Sequence, residues 1–321
     1  MIYDIKQVHI EGSGRCNSRC PMCSRHTATG FVQPDLDEFD LENEIFYKLF
    51  TEKFCNNLNH VYFSGVYGDP CMNKSLPEYV SWFQKNKVDV AIDTNAGYRN
   101  TRWWAKLGEM RTRVHFAIDG LEDTNHLYRR NVLWRKVITN VKAFQEAGGN
   151  GAWTFIVFKH NEHQDELVKQ RSIDEGFRGV KWRGAKSRDY QYNEIKPASM
   201  GKYETPIKKP NLQVVCKACH RPDYHGYDTG LYITNQGWLL PCCWWGTKST
   251  MREIYEKYGH KYDVTSHKLD GNRSVQDALD GEWFSNLHRE IMKDNFSQCG
   301  LHCKENIIST ITTEIVEKMD T

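Results

Sequence analysis

The sequence is poor in the features that carry a chain into a membrane, out of the cell or onto nucleic acid. No apolar run reaches the ~18 residues that a membrane span needs. Met1 to Glu11 lacks the charged, then apolar, then small-residue succession of a secretory signal, which points to the cytoplasm. Charge of one sign is scarce too: 43 Lys and Arg against 41 Asp and Glu leave a net +2, with no electrostatic footprint for a nucleic acid partner. Repeats and low-complexity tracts are absent. What is abundant is cysteine. Eleven is an odd and high count for a compartment that keeps thiols reduced, and close spacing there points to metal rather than disulfides.

The chain has 321 residues, 39% of them hydrophobic, enough for a sizeable core and two domains. Strand and helix patterns alternate through the first 180 or so residues. Expected strands are Val8–Glu11, His60–Ser64, Val88–Thr94, Arg113–Ile118, Trp153–Phe158 and Gly179–Trp182. Expected helices are Leu41–Phe54, Leu76–Asn86, Arg99–Leu107, Val132–Ala147 and Glu162–Asp174. Ser75-Leu-Pro-Glu78 reads as a capping box with proline in the first turn, and Gly148-Gly149 as a left-handed helix stop. Six strands alternating with helices predict an α/β fold: a parallel sheet with right-handed crossovers, a partial (β/α)6 TIM-like barrel over residues 1–185. A Pro-punctuated linker over 186–211 then leads to a smaller cysteine-rich unit over 212–321.

Cys16-Asn-Ser-Arg-Cys20-Pro-Met-Cys23 follows the first expected strand directly. A loop at the C-terminal end of a barrel strand is where such folds place their chemistry. Three thiolates can surround one metal site, yet they leave a four-iron cluster one ligand short, and a substrate can bind that open iron. Zinc is the alternative, with His26 the local candidate for a fourth ligand.

Cys-x3-Cys-x2-Cys after a first strand resembles the signature of the radical S-adenosylmethionine (SAM) enzymes. The resemblance covers about the first 180 residues. Ser64-Gly-Val-Tyr-Gly-Asp-Pro70 is similar to the family's Gly-Gly-Glu motif, which implies that Gly68 and Asp69 hold the methionine amino group. Thr94-Asn95-Ala-Gly97 resembles Thr-Asn-Gly, placing Asn95 near the ribose, and Ala117-Ile-Asp119-Gly120 resembles Ser-x-Asp-Gly without its serine. Arg130 follows where an arginine often meets the methionine carboxylate. Two further positions depart from the pattern. Met22 stands where an aromatic residue is usual, and Asp69 is one methylene shorter than glutamate.

In the C-terminal third, Leu231 to Cys243 reads as a hairpin turning at Asn235-Gln-Gly237. Gly237-x4-Cys242 after an upstream cysteine, with a late Cys299-x3-Cys303, is similar to the SPASM/Twitch extension of radical enzymes. That resemblance implies one auxiliary iron–sulfur cluster on Cys216, Cys242, Cys299 and Cys303, with Cys219 competing with Cys216 and zinc a rival occupant.

The implied function is reductive cleavage of SAM at a 4Fe–4S cluster on Cys16, Cys20 and Cys23. A 5′-deoxyadenosyl radical then abstracts hydrogen from a peptide or small-molecule substrate. A flavodoxin- or ferredoxin-type protein supplies the electron, and the auxiliary cluster accepts one from the substrate. No peptide-binding winged-helix segment stands in the fifteen residues before Cys16, which disfavours self-contained leader-peptide recognition and leaves that task open to a separate partner. The rival reading is a non-catalytic interaction protein with two zinc sites, or a radical enzyme with a structural zinc in its C-terminal unit.

Overall fold

The computed structural model describes residues 5–27, 30–184, 195–199, 230–269, 273–287 and 290–291, and the backbone of 312–315. Strands β1 (Gln7–Ile10), β2 (His60–Phe63), β3 (Asp89–Thr94), β4 (Arg113–Ala117), β5 (Asn150–Val157) and β6 (Gly179–Gly184) lie side by side in chain order, all parallel. Between them run α1 (Asn43–Leu49), α2 (Glu52–Cys55), α3 (Leu76–Lys85), α4 (Thr101–Glu109), α5 (Asn125–Tyr128), α6 (Trp134–Glu146) and α7 (Asp165–Asp174). This is the expected α/β alternation, with a mostly parallel sheet.

The hairpin forms where the sequence places it. Strands β7 (Gly230–Ile233) and β8 (Leu239–Leu240) are antiparallel, and Gly237 at their turn takes φ +81°. Its partner was not foreseen. Strand β7 pairs in parallel with β1, Gln7 opposite Gly230, so the hairpin extends the same sheet. Strand β9 (Thr312–Ile315) adds antiparallel to β6, giving the order β8-β7-β1-β2-β3-β4-β5-β6-β9. Helices α8 (Lys248–Tyr258) and α9 (Val275–Asp280) follow the hairpin.

Three local expectations are corrected. The helix expected over Leu41–Phe54 is broken, because Thr51 is extended and its hydroxyl caps the Phe54 N–H, starting α2 afresh. The capping box before α3 does not form. The Ser75 N–H is taken by Asn73 Oδ1 at 2.9 Å, and the Glu78 carboxylate reaches Asn43 Nδ2 instead. Helix α4 starts later than expected, at Thr101, where the Asn100 side chain accepts the Trp103 N–H. Gly148, with φ +90°, ends α6 as expected.

The two faces of the sheet differ in chemistry. One packs on the helices through an aromatic cluster in which Phe116 meets Trp104, Phe144 and Phe177 at centroid distances of 5.3–5.7 Å. The other carries His9, Tyr62, Asp93, His115, Thr154, Lys181 and Arg183, a polar layer that no core-packing rule explains. His9 lies against Tyr62 and Tyr232 with Nε2 2.7 Å from the Ser64 carbonyl. Burial, against the pull of Ser64 and Asp93, pushes its pKa down to about 4.

Phe144→Ala removes the ring that joins α6 to this cluster and should cost about 3–5 kcal/mol of stability, read as a lower midpoint in denaturant. Acid should also weaken the fold. Between about pH 6.5 and 4 the unfolded chain protonates His9 while the native state does not, so stability falls as pH falls through that window. In His9→Gln, the pH dependence of the unfolding midpoint across that window should be shallower than in the wild type.

Candidate active site

The site is built by loops at the C-terminal ends of the parallel strands. The loop after β1 is tied down before it reaches the cysteines. Gly14 N–H donates to Phe39 O at 2.7 Å, and the buried Arg25 guanidinium donates to Gly14 O at 2.6 Å and Tyr67 O at 3.2 Å while pairing with Glu38. Loop β1 and loop β2 lie almost backbone to backbone. A Cβ on Gly68 would stand 1.7 Å from Ser13 O, so only glycine fits there, and Asp69 N–H donates to Arg15 O at 2.8 Å.

Asp69 joins the second loop to the third. Its buried carboxylate accepts from the Thr94 hydroxyl at 2.9 Å and from the N–H groups of Asn95 and Cys71 at 2.8 and 2.9 Å. Burial raises its pKa, opposed by those donors and by Arg129. Three donors occupy most of the roughly four lone-pair directions of a carboxylate, leaving room for one more on the cavity side. Asn95 Nδ2 reaches Asn17 Oδ1 at 3.1 Å and Cys16 Sγ at 3.7 Å.

One cavity of 1070 Å³ takes in Cys16, Cys20 and Cys23 together with Gly65–Asp69, Thr94, Asn95 and Arg129. The opposite rim is made by Trp244, Thr247, Lys248 and Arg252. Its volume exceeds that of one drug-sized ligand, room for a cluster and SAM side by side. Among the described residues, no three His, Cys, Asp or Glu side chains converge at single-ion spacing. The fit to a larger thiolate-held group rests on the donors around the sulfurs. Ser18 N–H points at Cys16 Sγ and Arg25 N–H at Cys23 Sγ, both at 3.4 Å, and Arg129 Nη1 lies 3.7 Å from Cys20 Sγ. Burial pushes the Cys23 thiol up to about 11 and raises Cys16 further, so both ionise only against a bound cation. His26 turns Nδ1 to the Cys20 carbonyl at 3.2 Å and keeps Nε2 buried without a partner.

The residues inferred from sequence divide here. Gly68, Asp69 and Asn95 line the cavity with the three cysteines. Asp119 does not. It is fully buried, and its carboxylate accepts from Ile156 N–H at 2.6 Å and Arg129 Nε at 2.5 Å. Arg130 does not line the cavity either: its Nε reaches Leu127 O at 3.4 Å, and the arginine on the cavity wall is Arg129. Arg129 itself caps α5, with φ −81° and ψ 61°. Cys242 is half-buried against the core just past β8, whereas Cys216, Cys219, Cys299 and Cys303 lie outside the described residues.

Glu11 was missed. Its buried carboxylate takes Tyr67 N–H at 2.8 Å, Gly68 N–H at 3.3 Å and the Tyr232 hydroxyl at 2.7 Å, holding β1, loop β2 and β7 together. The only signal available was an acid at the end of an apolar strand.

Comparisons with known proteins agree with this geometry. The Radical SAM superfamily model matches residues 10–169. A tungsten-containing aldehyde ferredoxin oxidoreductase cofactor-modifying protein of Pyrococcus furiosus is 28% identical over 120 residues, covering 36% of this chain and 32% of that protein. Among solved structures, Streptococcus suis SuiB bound to S-adenosylmethionine superposes with TM-score 0.59 at 14% identity, over 93% of this chain and 70% of that one. The enzyme anSMEcpe with bound AdoMet superposes with TM-score 0.56 at 13% identity, over 91% and 81%. Both proteins are also known with peptides bound, the precursor peptide SuiA and the Cp18Cys peptide respectively. Residues 10–169, just under half of the chain, are therefore similar to the Radical SAM superfamily, whose members use a 4Fe–4S cluster and S-adenosylmethionine.

Proposed function

We propose that Cys16, Cys20 and Cys23 hold the 4Fe–4S cluster, that SAM lies in the same cavity, and that the substrate is a peptide. The observation that carries this reading is the convergence of the three cysteines, Gly68, Asp69, Asn95 and Arg129 on one cavity at the strand ends. When bound, the cluster supplies the electron that splits SAM into methionine and a 5′-deoxyadenosyl radical. The chain's own residues bind and orient. Asp69 offers its remaining acceptor position to the methionine amine, Asn95 borders the ribose, and Arg129 offsets negative charge beside Cys20. Met22, on the cavity wall, packs beside the adenine in place of an aromatic ring. Peptides bound to SuiB and anSMEcpe support a peptide over a small molecule. An external flavodoxin- or ferredoxin-type protein is the natural reductant, and an auxiliary cluster on Cys216, Cys242, Cys299 and Cys303 would accept the electron left on the substrate.

Anaerobically reconstituted protein should be brown, absorb near ~400 nm, and carry about eight irons if both sites hold 4Fe–4S clusters. With dithionite and SAM it should release 5′-deoxyadenosine. The triple variant Cys16→Ala, Cys20→Ala, Cys23→Ala should keep about four irons and lose 5′-deoxyadenosine release to background. Equal release by that variant would refute the assignment. One zinc in place of the remaining four irons would identify the C-terminal site as structural zinc.

A further inference from the structure

The wall of the cavity formed by β3 to β6 carries a constellation that SAM cleavage leaves unused. Asp93, His115, Ala117, Thr154, Ile156 and Arg183 all line the cavity that holds the cysteines. Parallel registers put Asp93 opposite His115, Ala117 opposite Thr154 and Ile156 opposite Arg183, so these side chains share one face of the sheet.

Most polar groups on that wall are already satisfied. The Asp93 carboxylate accepts the Tyr62 hydroxyl and lies 2.8 Å from His115 Nδ1. Burial opposes its charge, but His115, Arg183 and Tyr62 together hold its pKa below the usual range. His9 is committed to Ser64 O. Two groups remain. Thr154 Oγ1 is buried with no partner although the residue is 94% enclosed, and Arg183 Nε is likewise buried and unpartnered. Lys181, two positions earlier on the same face but not on the cavity lining, is a second basic group whose pKa burial and Arg183 lower, against the single carboxylate of Asp93. A wall with surplus positive charge, an idle guanidinium nitrogen and an idle hydroxyl is built to receive an oxyanion.

We propose that Arg183 and Thr154 form the receiving subsite for a carboxylate or phosphate group of the substrate, facing the cavity in which the radical is made. The assignment of that anion to the substrate rests on the radical SAM reading; the binding of an anion there does not. Arg183 supplies a planar fork, Thr154 a single short donor, and the Asp93–His115–Tyr62 network lies beside them on β2 to β4.

Titration calorimetry on the reconstituted, SAM-loaded protein tests this with succinate and inorganic phosphate as probes. At least one should bind saturably, and whichever binds more tightly names the substrate group. Binding should weaken at least about tenfold in Arg183→Met, recover in part in Arg183→Lys, and weaken about threefold in the near-isosteric Thr154→Val. No saturable binding of either anion, or binding untouched by these substitutions, overturns the subsite. So does displacement of the anion one for one by SAM in cluster-bearing protein first prepared without it, since the site would then belong to the methionine carboxylate. The wild-type 5′-deoxyadenosine assay separates the two ideas. Release without anion binding sinks the subsite alone, whereas Arg183-dependent anion binding without release sinks the radical reading alone.

Discussion

A buried carboxylate filled by donors from two neighbouring elements organises this molecule. Glu11 directly follows the first strand, is 2% exposed, and receives two backbone N–H groups from the loop after β2 and a hydroxyl from β7. Burial raises its pKa and the three donors oppose that shift. A charge so placed costs several kcal/mol unless its acceptors are filled, so the loops that fill them are held in one arrangement. The cysteine loop begins at the next residue. Its position is thus inherited from strands that lie on both sides of β1.

Asp69 repeats the device one strand along. It binds Thr94, Asn95 and Cys71, so the second and third loops cannot move independently. Asp119 repeats it again, anchoring Arg129 against Ile156 and the turn after β4. Three buried carboxylates, after β1, β2 and β4, fasten the rim of a sheet whose other face is aromatic. Rigidity at the rim is what a radical site needs, because an uncontrolled donor or water within reach would quench the chemistry.

Much of this was readable in the sequence, for reasons that particular residues show. Strand β5 alternates Trp153, Phe155 and Val157 toward the helices with Thr154 and Ile156 toward the cavity, and such alternation survives in the one-dimensional pattern. Motifs that act through backbone geometry, such as Gly68-Asp69-Pro70, sit where a strand stops. That Arg129 rather than Arg130 lines the cavity was not readable, since the two are adjacent and identical in type. Ser75 and Glu78 satisfied the rule for a capping box, but Asn73 was the closer acceptor. Glu11, Thr154 and Arg183 looked like ordinary polar positions in half-exposed strands. Their partners, or lack of them, come from residues far off in the chain.

The pairing of β7 with β1 gives the molecule an order of assembly. Gln7 meets Gly230, 223 positions later, so the strand that carries the cysteine loop stays an unpaired edge until nearly three quarters of the chain has been made. During synthesis β1 can join β2 within some sixty residues, but Glu11 lacks the Tyr232 hydroxyl until the hairpin arrives. The cavity that takes in Cys16, Cys20 and Cys23 is likewise completed late, because Trp244, Thr247, Lys248 and Arg252 line it only once the segment after the hairpin has folded back.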